Sequence, residues 1–90
     1  RDRNGEAGAL CNVGLALAAL GAPEKALESL EQALALYRAV GGRRGEAKSL
    51  YGLARVERDR GNVDEARRRI DASLSLIEEV RAGAGGQQSR

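Results

Sequence analysis

Arg3-Asn4-Gly5-Glu6-Ala7 returns 40 positions later as Arg43-Arg44-Gly45-Glu46-Ala47, and that spacing decides the fold. Working outward, Leu10 returns as Leu50, Gly21 as Gly61, Ala26 as Ala66, Leu34 and Leu36 as Leu74 and Leu76, and Val40 as Val80, with no gap. A fixed period in this range marks a solenoid, in which each unit buries its apolar face only by stacking on a neighbour. The copied register already holds at Arg3, so residues 1–4 read as an inter-repeat joint and the chain as a piece of a longer array.

Composition restricts what such units can be made of. The 90 residues contain no Phe, Trp or Met, and Tyr37 and Tyr51 are the sole aromatics. A core of Leu, Ala, Val and Ile with a single proline favours helix nearly everywhere. The formal net charge is a modest +2. No run of about 18 apolar residues exists to span a bilayer. One cysteine cannot staple the domain, which suits a reducing, cytoplasmic setting. The absence of histidine removes most metal sites and His-based catalysis, so neither cofactor nor enzymatic activity is expected.

The spacing predicts four helices in two antiparallel hairpins, an all-α fold stacked as a short α-solenoid. Helix one is expected from about Glu6 to Leu20, with Leu10, Val13, Leu17 and Leu20 on one face. Gly21 ends it, and Pro23 suits the first turn of helix two, where a missing N–H costs nothing. That helix runs to Val40, with Ala26, Leu27, Leu30, Ala33, Leu34 and Tyr37 inward, and Gly41-Gly42 allow the reversal. Helix three, about Glu46 to Arg60, rests on Leu50, Leu53, Ala54 and Val56. Helix four reaches about Arg81 on Ala66, Ile70, Leu74, Ile77 and Val80. Residues 5–44 and 45–82 thus form two repeats, and 83–90 read as a disordered tail.

These residues resemble the tetratricopeptide repeat. Leu10, Val13-Gly14, Leu17, Gly21, Ala26, Leu30 and Ala33 occupy its pattern in the first repeat. In the second, Leu50, Leu53-Ala54, Gly61, Ala66, Ile70 and Ser73 do so. The usual unit is about 34 residues, so the longer spacing is similar to kinesin-light-chain-like and LGN-like arrays. Glu57 stands where Leu17 stands in the first repeat. Leu15, Leu20 and Leu27 become Arg55, Arg60 and Arg67, which suggests an end repeat with Glu57 at a water-facing end; Val56 as the packing substitute is the alternative. The stretch from Tyr51 to Arg81 also resembles the last repeat before a bacterial CHAT (caspase-like) domain, and on that resemblance any peptidase machinery would lie beyond Arg90.

The resemblance implies a protein-interaction module whose concave face, lined by the first helix of each repeat, takes a peptide or helix of a partner. Its groove positions fall on Gly8, Cys11, Asn12, Leu15 and Ala18, then Lys48, Tyr51, Gly52, Arg55, Arg58 and Asp59. Asn12 matches an asparagine that hydrogen-bonds peptide backbone in long-repeat members. An amide carries both donors and acceptors and so can pair with any peptide group; Gly52 interrupts the ladder. Lys48, Arg55 and Arg58 beside Tyr51 would suit an acidic segment, Arg offering a planar fork. The bland alternative is a solvated end repeat.

Other features carry less. Arg67-Arg68-Arg69 fan around a helix axis and so form no nucleic-acid stripe. Cys11 has no activating partner and reads as small packing. No nucleic-acid or membrane partner is expected. The competing reading is a structural spacer or self-association element, since two repeats are fewer than the roughly three such arrays usually want. An exposed array end would then form a homodimer.

Overall fold

The computed structural model describes residues 2–88 of the chain. Four helices follow one another: α1 (Arg3–Ala19), α2 (Pro23–Val40), α3 (Arg43–Asp59) and α4 (Val63–Gln88). Helices α1 and α2 form one hairpin, α3 and α4 the next, and α3 seats against both helices of the first hairpin. The Cα envelope measures 47 × 35 × 17 Å, a slab two helices thick.

The three turns are built alike. Gly21, Gly41 and Gly61 hold φ of 82°, 70° and 86°, the left-handed backbone that glycine adopts without a Cβ penalty. At each, two crossed hydrogen bonds close the helix. Gly21 N–H donates to Ala18 O and Ala22 N–H to Leu17 O; Gly41 and Gly42 bond to Arg38 and Tyr37; Gly61 and Asn62 bond to Arg58 and Glu57. This satisfies carbonyls that a helix end leaves orphaned. The glycines come every 20 residues, so the 40-residue repeat is two helix-and-turn segments.

At position 81 the series breaks, because Arg81 stands where a turn glycine would be. Helix α4 accordingly runs on to Gln88. Residues 83–88, expected as a loose tail, continue that helix, and Gly83 lacks the positive φ of the turn glycines. Ser89 and Arg90 lie outside the described residues. Helices α1 and α3 also begin three residues earlier than the sequence suggests. Asp2 caps α1, its Oδ1 accepting the Gly5 N–H at 2.9 Å. Gly45 sits inside α3 because the Tyr37 ring fills the space its Cβ would need.

The core is one cluster that crosses both hairpins: Cys11 from α1, Ala26, Leu30, Ala33 and Leu34 from α2, Leu50, Leu53 and Val56 from α3. Leu30 is its centre, with no exposed surface. A Cβ on Gly14 would lie 2.6 Å from Leu30 Cγ, and one on Gly52 would lie 3.2 Å from Leu30 Cδ2. Helices α1 and α3 therefore approach the same leucine through glycines. Each hairpin also carries a serine tie, Ser29 Oγ donating to Leu10 O at 2.7 Å and Ser73 Oγ to Ala47 O at 2.8 Å.

The inward residues expected for α2 and α3 are found inward, with Leu27 and Tyr37 at the cluster's edge. Helix α1 is rotated from the expectation. It buries Ala7, Cys11 and Gly14, Leu10 and Leu17 pack at the edge, and Val13 and Leu20 face outward. Helix α4 likewise leaves Leu74 and Ile77 exposed. Glu57 does not meet water as an end residue: its side chain is largely covered, and Oε1 accepts from Asn62 Nδ2 at 2.7 Å across the turn. Val56 takes the packing role.

Removing Leu30 opens both interfaces, so Leu30→Ala is expected to destabilise by about 2–5 kcal/mol. Gly14→Ala forces a methyl into Leu30, with an expected loss of about 1–3 kcal/mol. Gly83 has nothing around its missing Cβ and lies within a helix, so Gly83→Ala should gain about 0.5–1 kcal/mol. Urea denaturation of the three variants beside the parent checks all three signs.

Candidate functional site

Two surfaces are distinct from the rest of the slab. The first lies on the side where α1 and α3 approach one another directly. Helices α2 and α4 make no comparable approach; they are joined by the Arg69–Glu31 ion pair at 2.7 Å. Helices α1 and α3 thus share a seam that α2 and α4 do not.

On α3, Lys48, Tyr51, Arg55 and Arg58 are all exposed. Their spacing of three, four and three places them along one helical face. Among the described residues neither Lys48 nor Arg55 has a carboxylate within 4 Å. Arg58 touches Asp59 at 3.4 Å, a loose pair in full solvent. Asn12 of α1 is exposed, and Leu15 is half-buried, its Cδ2 lying 3.0 Å from where a Gly52 Cβ would be. The side chain of Leu15 thus seals the α1–α3 seam and presents only its rim. Cys11 is a correction: it is buried in the core against α2 and α3, so it cannot line an open groove.

The second surface was not singled out in the sequence. Between α3 and α4 at the end of the stack lies an open groove of about 810 Å³. Tyr51, Ile70, Leu74, Ile77 and Val80 supply an apolar floor, and Arg43, Arg44, Lys48 and Arg81 stand round it. Arg43 is paired with Glu79. The arginines expected to make this an end surface, Arg55, Arg60 and Arg67, do not cover it. The signal was present in the sequence, since Leu74 and Ile77 belong to the inward stripe of α4, and among the described residues nothing covers them.

Near the start of α4 two arginines are locally paired. Arg68 hydrogen-bonds Glu65 and holds that carboxyl below its ordinary pKa, while Arg69 binds Glu31 and Glu65. Arg67 to Arg69 therefore present no single basic stripe, as their helical placement implied. No helix among the described residues is long and apolar enough to cross a membrane.

The structure is thus an α-solenoid of paired antiparallel helices in a 40-residue register. The chain belongs to the tetratricopeptide repeat family, whose model matches residues 5–79. Repeats of this family serve as protein-interaction scaffolds. No curated protein and no solved structure matches the chain significantly.

Tyr37 gives the joint between repeats a pH handle. Its ring lies against Gly42 and Gly45, and its hydroxyl sits 3.4 Å from where a Gly8 Cβ would be. Burial, with a smaller contribution from Cys11, raises its pKa above the ordinary 10.0. As pH rises past that ordinary value the unfolded chain loses its phenol proton first. Stability fully present below it is lost as pH climbs through the raised folded value. Tyr37→Phe keeps the ring and removes this loss. Its melting temperature should fall less than the parent's between about pH 9 and about pH 11, as thermal circular dichroism would show.

Proposed function

We propose that the inner face of α1 and α3 receives an extended, acidic segment of a partner protein. The observation that carries this reading is the single exposed row of α3, in which Lys48 and Arg55 lack carboxylate partners and Tyr51 lies between them. Cations left without intramolecular partners on a rigid helix offer charge to a ligand without first giving up an internal ion pair. Arg55 and Arg58 supply planar donor forks for carboxylates. The exposed Tyr51 ring supplies apolar area that loses little conformational entropy on contact. Asn12, one helix away, supplies the amide that pairs with backbone and so holds an extended chain whatever its side chains are.

A rigid pair of hairpins suits this role because the receiving surface is already formed before binding. Most of the affinity then comes from backbone pairing and fit, while the cations set the association rate and the choice of acidic over basic segments. The spacer or self-association reading is supported by a different feature, the apolar floor of the end groove.

Panning a peptide library against the chain should enrich acidic sequences. Arg55→Glu with Lys48→Glu should weaken the enriched peptide about tenfold or more and flatten its salt dependence. Asn12→Ala should weaken it with the salt dependence unchanged. Affinity untouched by the charge reversals sinks the proposal.

A further inference from the structure

The 40-residue register makes one groove of this molecule the template for another. Helix α3 fills the groove between α1 and α2, and residues there are sealed: Leu34 is 2 % exposed. Its counterpart Leu74, in the groove between α3 and α4, is 54 % exposed, and Ile77, counterpart of Tyr37, is 43 % exposed. The same comparison applies to the helix that does the filling. On α3, Ser49, Leu53 and Val56 are buried against the first hairpin. Their counterparts on α1 are Ala9, Val13 and Ala16, all exposed, Val13 at 51 %. One end of the molecule therefore has an empty groove, and the other carries the helix whose register belongs in it.

We propose that a second copy of this chain docks head to tail, its α1 lying in the α3–α4 groove as α3 lies in the α1–α2 groove. The close approach that glycine permits is kept. Gly45 lets α3 come up to the Tyr37 ring; Gly5 of the incoming α1 occupies that register, opposite Ile77. The side chains of Ala9, Val13 and Ala16 are no larger than those of Ser49, Leu53 and Val56, so the incoming face brings no overpacking. Ala9 also replaces Ser49, whose buried hydroxyl has no hydrogen-bond partner. One charge runs against the fit: the Arg38–Glu46 pair between α2 and α3, 2.9 Å apart, is replaced by Glu78 facing Glu6 of the incoming copy. The association is thereby weakened, and a specific substitution strengthens it.

The contact joins different patches on the two copies, so it does not close at a dimer, and each added copy presents a fresh groove. Sedimentation velocity over a concentration series reads this directly. The parent chain should show a mass that keeps rising past the dimer. Leu74→Asp and Val13→Asp change exposed side chains, leave the helical circular dichroism intact, and should each give monomers. Mixed together they should form a 1:1 complex and nothing larger, because each retains the surface the other has lost. Glu78→Arg should tighten association about two- to fivefold by rebuilding the exposed ion pair. A parent chain that stays monomeric to about 1 mM overturns the proposal and leaves the groove to a partner helix or a further hairpin. Assembly that survives Leu74→Asp, or a mixture that fails to pair, overturns it too.

Discussion

Leu30 is where the two levels of this structure meet. Its side chain lies between Gly14 of α1 and Gly52 of α3, each giving it room by having no Cβ. Gly14 belongs to the hairpin that Leu30 helps to form; Gly52 belongs to the next repeat. Hairpin closure and repeat stacking thus share one apolar side chain within a single cluster. In a small domain with a thin core, sharing of this kind joins two interfaces into one cooperative unit. Repeats that stacked through independent contacts would come apart one by one.

What could be read in the sequence follows from whether a residue's neighbour was present to be inferred. The turns were legible, because Gly21, Gly41 and Gly61 each act within five residues of chain. The inward faces of α2 and α3 were legible, because both helices have partners on each side within the chain. Helix α1 departs from its apolar spacing. Val13 and Leu20 look like core by spacing, but among the described residues nothing packs over that side of the helix. The true inner row, Ala7, Cys11 and Gly14, is made of small residues that carry little weight in an apolar pattern. Small side chains are selected for close helix approach, and hydropathy does not report closeness.

The candidate site divides in the same way. Lys48, Tyr51, Arg55 and Arg58 share one exposed face of α3, and Asn12 is exposed on α1. Cys11 carried two readings, small packing and groove lining, and its burial keeps only the first. The register counterpart of Cys11 is Tyr51, which has no helix lying across it and stands open. Two residues at one position of the repeat thus take opposite roles, and only their place in the stack distinguishes them. Glu57 illustrates the reverse case. A carboxylate in a core position is kept by Asn62 across a turn, a partner five residues away that no helical period indicates.

The even pacing of the turn glycines has a consequence for how this chain can change length. One residue added in α2 between Leu30 and Tyr37 would rotate everything after it by about 100° about the helix axis. Leu30 would still face Gly14, but Tyr37 would swing off Gly45 and α3 would lose its seat. An insertion at an exposed turn meets no such demand, since loop lengthening is weakly opposed. The spacing between one turn and the next is therefore held more tightly than the identity of most residues within it. Added residues are expected to be tolerated at the turns of this chain and not inside its helices.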